Sequence, residues 1–444
     1  MTRRFWRVHR GFALLLATGI VLRIITMLGF RWQLWFNDAW SYVGAAVRMR
    51  PHEARPNGYS FLLAAFRPVH AYWPTIVLQH LLGLAVGVMI YALLVRRGSR
   101  PWVACLAGAP VLLDAYEIQL EHLLLSDTLF VFLMTAALLV ILWPGPLTLQ
   151  RAAGLGALLA AAGLTRSIGL ALVPVVLLWL IVRRAGWRRL AIVVAVCALP
   201  LLGYAAWFST EFGRFALSNS DGPFLYARVM KFADCTKFAV PDRERPLCTS
   251  VPRGERPSSQ FYVWGADSPL ASIPGDRFSN GKNALAGSFA RRAILAQPVD
   301  YLAAVGSDVL RVFRWDRSVY PDDYTYSQYE FGTPTKPVAA WAEADLRRYT
   351  GGDLAATTIV RPYATIMEWY QRYFYLRGTM LGLVLLLPLL GRNRRAAALP
   401  WLFSWALLFT PAITCEFDYR YVVPSIPMAC LAAALAFTPR EVPE

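Results

Sequence analysis

The stretch QHLLGLAVGVMIYALLVRRGSRPWVACLAG, residues 79–108, decides the fold class of this chain. Two apolar runs, 76–95 and 101–117, flank a short arginine-rich turn at 96–100. Apolar runs of this length are long enough, or nearly so, to cross a bilayer as helices, and basic loops favour the cytoplasmic side. The stretch therefore predicts two membrane-spanning helices joined by a cytoplasmic loop.

The same pattern continues along the rest of the chain. Of its 444 residues, 57% are hydrophobic and 14% are aromatic, and the mean hydropathy is +0.41, which is too apolar for a soluble protein of this length. The apolar runs that could span a bilayer are 11–30, 76–95, 101–117, 124–143, 152–165, 167–183, 189–208, 374–390, 397–412 and 420–438. We therefore expect an all-α polytopic membrane protein with about ten transmembrane helices and both termini in the cytoplasm.

The net charge of +17 follows this topology. With the N-terminus inside, ten spans place the basic loops 96–100, 183–189 and 392–395 on the cytoplasmic side, while acids such as Asp38 fall on the opposite face. The positive charge therefore indicates topology and contact with anionic membrane lipids, and no nucleic-acid partner is expected. The first run, 11–30, has no small-residue cleavage site after it, so we expect it to remain in the chain.

Two longer segments are predicted on the outer side. The first outer loop, 31–75, belongs to a transmembrane core that covers 1–208. Its stretch 58–66, GYSFLLAAF, is too short to span and is predicted to form an amphipathic helix in the outer interface. The second, 209–373, is expected to be an extracytoplasmic segment of mixed, loop-rich structure with interface helices. Residues 374–444 are predicted to form the C-terminal transmembrane helices.

The long outer segment divides further by composition. Residues 215–285 are rich in Pro, Gly, Ser and Asp and are predicted to be loops with little regular structure. Residues 288–315 carry apolar positions at helical spacing, and Pro298 can begin the second of two helices that we expect along the membrane surface. The aromatic and acidic stretch 316–337 is predicted to be a loop.

Five of the six cysteines fall into two groups, and Cys415 lies at the predicted outer end of a span. Cys105, Cys197 and Cys430 lie in apolar runs, where packing explains them. Cys235 and Cys248 lie close together in the outer segment, where an oxidising compartment favours a disulfide over two free thiols.

Asp38 is the first candidate for chemistry. It lies in WFNDAWSYV, 35–43, among aromatic residues that include Trp40 and Tyr42. The carboxylate could simply cap a helix that begins here. Alternatively it is a general base, because apolar rings limit its solvation and raise its proton affinity. Aromatic rings also suit the apolar faces of sugars.

Polar residues also open the predicted fourth span in QLEHLLLSDTLFVFLM, 119–134. Glu121, His122 and Asp127 lie there, close to the outer face. Asp127 could cap the span. A histidine and carboxylates could also hold a metal, although this spacing favours such a site only weakly, so a divalent metal is left open.

Arginines at the outer ends of spans are candidates for phosphate binding. Arg166 lies between two apolar runs, Arg377 opens the eighth span, and Arg420 opens the last one beside Asp418. Such arginines can instead snorkel to the interface or pair with a nearby acid. A guanidinium group donates forked hydrogen bonds to phosphate oxygens. Acids and arginines on one face suit a reaction between a phosphate-bearing amphiphile and a polar molecule.

The order of these motifs resembles that of the C-type (GT-C) integral-membrane glycosyltransferases, in particular bacterial relatives of protein O-mannosyltransferases and of the lipid A aminoarabinose transferase. FNDAWSYV resembles their acidic motif in the first outer loop, and RPNGYSFLLAAF, with Tyr59, resembles their Pro-Gly-Tyr interface helix. LTRSIGLALVPVVL and DYRYVVPSIPM resemble their Thr-Arg-x-x-Gly-Leu and Arg-Tyr-x-x-Pro patterns. Many relatives have Glu in place of Asp127, and an acidic pair where this chain has Asn37 and Asp38.

The resemblance implies a transferase that moves a sugar from a polyprenyl-phosphate donor to an acceptor hydroxyl at the outer membrane face. It implies that Asp38 deprotonates the acceptor and that the anomeric carbon inverts. The residues implied to bind the donor phosphate are Arg166, Arg420 and Arg377. Those implied to bind substrate are Trp40, Tyr42, Tyr59, Glu121, His122, Asp127 and Asp418. No cofactor is implied with certainty.

The sequence leaves the sugar open, and the acceptor can be a lipid, a glycan or a protein. Two other functions also stay open. One is a polytopic transporter or lipid flippase without covalent chemistry, although only Arg23 resembles the buried midplane charge of such proteins and no internal repeat is visible. The other is a binding or assembly subunit that uses the outer segment 209–373.

Overall fold

The computed structural model describes residues 2–332, 338–354 and 356–439, with side chains from Val8 onward, and its regular structure is helical apart from two short strands. The first ten helices are α1 (Thr2–Gly29), α2 (Asn37–Arg48), α3 (Gly58–Phe66), α4 (Trp73–Arg96), α5 (Pro101–Leu113), α6 (Ala115–His122), α7 (Asp127–Leu142), α8 (Leu149–Thr165), α9 (Gly169–Val182) and α10 (Trp187–Phe212). The outer segment carries α11 (Asp221–Val229), α12 (Ser259–Trp264), α13 (Asn280–Ala296), α14 (Pro298–Arg311), α15 (Asp323–Ser327), α16 (Ala340–Thr350) and α17 (Tyr363–Tyr373). The chain ends with α18 (Gly378–Leu390), α19 (Arg394–Thr414), α20 (Tyr419–Val422) and α21 (Ser425–Leu435).

Every predicted apolar run overlaps a helix, but the helices differ in length. In the described part of the chain, four helices (α1 from Val8, α4, α10 and α19) are long and apolar enough to cross a membrane. The number rises to six if each of two bent pairs counts as one span. The multi-pass membrane character thus rests on these helices, while the number of ten spans and the cytoplasmic side of the termini stay predictions.

One of the bends has a clear local cause. The predicted span 101–117 is interrupted at Asp114, where α5 and α6 meet at 48°. The Asp114 carboxylate accepts hydrogen bonds from the backbone N–H groups of Tyr116 and Glu117 and so caps the second helix. A capping acid starts a new helix because it satisfies N–H groups that a continuous helix would bond internally.

The stretch 215–285 consists largely of loops and short turns, as its composition predicts, but it also contains α11, α12 and the start of α13, which the composition does not predict. Helix α11 packs against α13, and Tyr226 meets Phe289 edge to face with ring centroids 5.5 Å apart. Gly222 permits the close approach, since a Cβ there would lie 2.0 Å from the Asn283 carbonyl oxygen. Burial of apolar rings therefore overrides the weak local helix preference of a Gly- and Pro-containing stretch.

Other predictions for this segment agree with the structure. Residues 288–315 form two helices, and Pro298 is the first residue of the second. Cys235 and Cys248 form a disulfide that joins the two ends of the loop after α11. The predicted loop 316–337 contains the short helix α15, and its residues 333–337 lie outside the described part of the chain.

The first outer loop lies between the membrane helices and the outer segment. Helix α2 packs against α3 and α16, and α3 packs against α8. Two-residue strands β1 (Phe30–Arg31) and β2 (Thr358–Ile359) pair antiparallel and tie the end of α1 to the outer segment. These contacts place the first turn of α2 where the core and the outer segment meet.

Candidate active site

Asp38 lies in the first turn of α2 and does not cap it. The residue before the helix is Phe36, and no side chain caps this end. One carboxylate oxygen, Oδ1, lies 2.9 Å from Nη2 of Arg55, and Oδ2 lies 2.8 Å from Nη1 of Arg420. The carboxylate is therefore held by two guanidinium groups, from the first outer loop and from the last span.

The two arginines determine the acidity of Asp38. Burial on its own would raise the pKa of Asp38, but the positive charges and hydrogen bonds of Arg55 and Arg420 outweigh it and hold the pKa below its ordinary value. The expectation that aromatic neighbours raise the proton affinity of Asp38 is therefore wrong. Aromatic rings do lie near Asp38, but the Phe36 ring packs against the Arg420 guanidinium at 5.1 Å, and the charge of this arginine lowers the pKa of Asp38.

Arg55 is a site residue that the sequence analysis missed. Its loop is held rigidly, because the Asn57 side chain accepts from the backbone N–H of His52 at 3.0 Å. The hydroxyl of Ser220, in the outer segment, also donates to the Ala54 carbonyl oxygen at 2.8 Å. The only local signal for Arg55 is its place directly before the Pro-Asn-Gly sequence that opens α3.

Asp127 lies between Arg166 and Arg420, two of the three arginines predicted for the site. It is 1% exposed and forms an ion pair with Arg166, which follows the last residue of α8. The same oxygen lies 3.9 Å from Nε of Arg420. The buried Asp127 carboxylate therefore positions the guanidinium groups of Arg166 and Arg420. Arg166 also lies over the Tyr421 ring at 5.4 Å.

Asp38 and the arginines share one cavity of about 440 Å³, which we call the arginine cavity. Its charged lining includes Asp38, Arg55, Arg166 and Arg420. The apolar part of its lining includes Pro56, Ile168, Phe224, Leu225 and Pro411. Three cations and an apolar wall thus meet in one space, which suits a phosphate attached to a hydrocarbon chain. Tyr42 also lines this cavity.

A second cavity, of about 680 Å³, adjoins the first at Asp38, Arg55 and Arg420; we call it the aromatic cavity. Its aromatic lining comprises Phe36, Trp40, Phe224, Phe261, Trp264, Tyr324, Trp341 and Tyr421. The predicted Asp418 also lines it, where its carboxylate accepts from the Tyr329 hydroxyl at 2.9 Å. The carboxylate of Asp38 therefore lies at the junction of the two cavities.

Glu121 and His122 lie elsewhere. The Glu121 carboxylate accepts from Arg23 at 2.6 and 2.7 Å and lies 2.7 Å from Nδ1 of His80. His122 lies 3.0 Å from the other His80 ring nitrogen and 2.7 Å from the Phe30 carbonyl oxygen. This buried network borders neither cavity, so the structure does not bring these two residues to the predicted substrate site.

Tyr59 and Arg377 also lie outside both cavities. The fully buried Tyr59 donates to the Gln79 side chain at 2.5 Å and packs edge to face against Tyr42. Arg377 forms an ion pair with Asp316 and lies over the Tyr375 ring. Tyr59 therefore packs behind Tyr42, and Arg377 is separate from the arginines that line the arginine cavity.

The site does not fit a divalent metal. Among the described residues, no group of three or more His, Cys, Asp or Glu side chains is placed to hold one. Both oxygens of Asp38 face guanidinium groups, whose positive charge disfavours a second cation at the same carboxylate.

Comparison with known proteins yields solved structures only. No family model matches, and no curated protein matches. The solved structures include the Saccharomyces cerevisiae protein O-mannosyltransferase Pmt1–Pmt2 bound to its sugar donor, with 16% identity, a TM-score of 0.37, and coverage of 49% of this chain and 36% of that one. ArnT from Cupriavidus metallidurans bound to undecaprenyl phosphate has 14% identity, a TM-score of 0.40, and coverage of 97% and 77%.

Archaeoglobus fulgidus oligosaccharyltransferase AglB, in complex with an inhibitory peptide and a dolichol-phosphate, has 14% identity, a TM-score of 0.43, and coverage of 97% and 50%. All three are GT-C glycosyltransferases. They are the kind of protein that the motifs of this chain resemble. The chain spans only about a third of the first and half of the third. At such identities and TM-scores the activity of this chain has to be argued from its own site.

Proposed function

We propose that this chain is a membrane glycosyltransferase that moves a sugar from a polyprenyl-phosphate donor to an acceptor hydroxyl at the outer face of the cell membrane. The observation that carries the proposal is the position of Asp38. Its carboxylate lies where a cavity rich in arginine and apolar residues meets a cavity rich in aromatic residues. The first suits a lipid phosphate and the second suits a polar acceptor.

The arginine cavity supplies what the donor phosphate needs. Arg55, Arg166 and Arg420 come from three separate parts of the chain and present guanidinium groups to one space. Each can donate paired hydrogen bonds to phosphate oxygens. When the bond to the sugar breaks, negative charge grows on the leaving phosphate, and cations fixed in advance stabilise that charge.

Asp38 acts as the general base in this mechanism. It takes the proton of the acceptor hydroxyl, whose oxygen attacks the anomeric carbon from the face opposite the phosphate, and the configuration inverts. The glycosidic bond to the donor phosphate breaks, and polyprenyl phosphate leaves with the bonding electrons. This leaving group is already a stable anion, so no general acid is required.

The donor also activates the base. Asp38 is a weak base as long as both of its oxygens are paired with guanidinium groups. The donor phosphate competes for Arg55 and Arg420, since phosphate oxygens accept from the same N–H groups. Binding of the donor therefore raises the pKa of Asp38, and the base becomes effective when the donor is in place.

The transporter alternative receives no support from the buried charges. Arg23 is fully buried in α1, and its guanidinium is satisfied by Glu121 and by the Leu112 carbonyl oxygen at 2.9 Å. This network borders neither cavity, whereas Arg55 and Arg420, the partners of Asp38, line both cavities. Charges on a transport path would be expected to face a passage.

The test uses the purified full-length chain reconstituted in lipid vesicles, with protein-free vesicles as the control. Radiolabelled polyprenyl-phosphate sugars, extracted from cells of the source organism, are incubated with the purified full-length chain and a total cell-envelope extract. We expect the label to move into an envelope product while unlabelled polyprenyl phosphate accumulates. If the labelled lipid is only carried from one leaflet of a vesicle to the other and stays chemically intact, the protein is a transporter and the proposal is wrong.

A further inference from the structure

Three of the aromatic side chains that line the aromatic cavity are exposed. Trp264 ends α12 and is 38% exposed, Tyr324 lies in α15 and is 53% exposed, and Trp341 lies in α16 and is 62% exposed. The three helices come from separate stretches of the outer segment, yet all three rings line one cavity. Exposed apolar surface gathered around a cavity marks a binding site more often than scattered exposed rings do.

The polar lining of this cavity combines uncharged side chains with charged ones, and several of the uncharged groups are held by hydrogen bonds within the protein. Its hydroxyl and amide groups belong to Asn37, Ser41, Ser258, Gln260, Thr325 and Gln328. The Tyr324 hydroxyl donates to the Asn37 side chain at 2.8 Å, and the backbone N–H of Asn37 donates to the Gln328 side chain at 3.2 Å. Neutral donors and acceptors beside aromatic faces match a pyranose ring, which has hydroxyls at its edge and C–H groups on its faces.

The charges in the lining have partners within the protein. Asp38 pairs with Arg55 and Arg420. Asp322 accepts from the backbone N–H of Thr325 at 2.8 Å and from the Ser258 hydroxyl at 3.1 Å, and Arg277 lies over the Trp264 ring. The cavity therefore offers no surplus of one charge that would select an acidic or basic ligand.

A peptide acceptor fits this lining less well. Extended peptides are commonly bound through the backbone of an exposed strand edge. Within the described residues the only paired strands are β1 and β2, which contribute nothing to the aromatic cavity. Its lining consists of side chains from helices and loops instead.

We propose that the aromatic cavity is the acceptor site and that it takes a saccharide, one hydroxyl of which reaches Asp38. The proposal rests on the glycosyltransferase function and narrows its acceptor to a carbohydrate, either free or linked to a lipid. The exposed rings of Trp264, Trp341 and Tyr324 stack against sugar faces. The base, Asp38, lies in the same lining and is less exposed than these rings.

The first test identifies the acceptor by the bond that forms. The purified full-length chain receives labelled polyprenyl-phosphate sugars and two envelope fractions, one of saccharides freed of protein by protease and one of proteins freed of glycans. We expect label in the saccharide fraction, attached to another sugar by linkage analysis. Label on protein hydroxyls, alone or beside labelled saccharide, overturns the inference but keeps the transferase. An unreacted donor in both fractions overturns the transferase itself.

The second test uses variants of exposed rings in the cavity lining and leaves Asp38 and its arginine partners unchanged. Trp341→Ala and Trp264→Ala should each raise the saccharide concentration at half-maximal rate about tenfold, which corresponds to about 1.4 kcal/mol of binding. Their affinity for polyprenyl phosphate, measured separately, should not change. Trp369→Ala is the matched control, because Trp369 is 56% exposed on α17 and lies outside both cavities. If the two cavity variants change acceptor dependence no more than this control, the rings serve the membrane surface and the inference is wrong.

Discussion

Asp38 and Glu121 are both carboxylates that form ion pairs with arginine, but they differ in how exposed they are. Asp38 shares its oxygens between Arg55 and Arg420, and its side chain is 20% exposed at the junction of two cavities. Glu121 has an Arg23 guanidinium on one side, a His80 ring on the other, and a side chain that is only 2% exposed.

The packing around Glu121 is tight enough to exclude any ligand. Gly83 lies against it, and a Cβ at that position would be 1.8 Å from the carboxylate oxygen Oε1. The partners of Asp38, by contrast, line a cavity in which a phosphate could replace the carboxylate. An arginine–carboxylate pair is therefore enclosed by packing at Glu121, whereas at Asp38 such pairs border open cavities.

The largest effect is expected for Asp38→Asn. Loss of the general base should lower the rate of sugar transfer about 10²–10⁴-fold. The variant keeps the shape of the side chain and leaves Arg55 and Arg420 free for phosphate, so polyprenyl phosphate should still bind. The Tm should fall less than in Glu121→Gln, because Asp38 is 20% exposed and both arginines line cavities. Rate, affinity and Tm are measured on the same preparation. Full activity in Asp38→Asn would remove this residue from the mechanism.

Glu121→Gln should affect stability instead of chemistry. It leaves Arg23 buried without a counter-charge, which costs about 3–5 kcal/mol. We expect a lower Tm in detergent and poorer yield, while the folded fraction keeps the wild-type affinity for polyprenyl phosphate. Gly83→Ala should lower the Tm as well, because it pushes the same carboxylate out of place. A stable Glu121→Gln protein that has lost transfer activity would move Glu121 into the active site.

Arg166→Gln should weaken donor binding. It removes one charge-assisted contact, worth about 1.5–3 kcal/mol, so the affinity for polyprenyl phosphate should fall about 10–100-fold. The measurement is the Kd for polyprenyl phosphate at fixed pH. An unchanged Kd would mean that Arg166 serves only to neutralise Asp127.

Arg55→Gln should change the pH dependence of the reaction. Against the opposing effect of burial, Arg55 contributes most to the low pKa of Asp38. A general base works in its deprotonated form, so the rate falls as the pH drops through its pKa. In the pH profile of kcat/KM for the donor, which reports the protein before donor binding raises the pKa of Asp38, this fall should lie below the ordinary carboxylate range near about 4 in the native protein and at higher pH in the variant. A pH–rate profile whose acidic limb does not move would show that Arg55 does not control the base.

Arg377→Gln should have the smallest effect, with rate and donor affinity unchanged within about twofold, as for other surface substitutions. Arg377 pairs with Asp316 away from both cavities. It serves as the matched control for Arg166→Gln, since both variants remove a positive charge predicted to lie at the outer end of a span. A tenfold loss of donor affinity in Arg377→Gln would show that the phosphate site extends beyond the arginine cavity.

Local features of the sequence were sufficient for much of the helical framework. Apolar runs predicted where helices lie, and Pro298 predicted where α14 begins, because both depend on neighbouring residues and on backbone geometry alone. Helix α11 was not predicted. It is stabilised by contacts with α13, and these contacts cannot be recognised from the composition of α11 alone.

For the site, the sequence by itself determined which charged residues flank the apolar runs, and among them Asp38, Arg166 and Arg420 do line one cavity. Only the tertiary structure decided that Arg55 joins them, that Glu121 and His122 belong to a closed network, and that Arg377 stands apart. It also decided that the pKa of Asp38 is lowered and not raised. The physical reason is distance along the chain: the partner that shares Asp38 with Arg55 lies 382 residues away, and electrostatic effects depend on separation in space, which only the packed helices define.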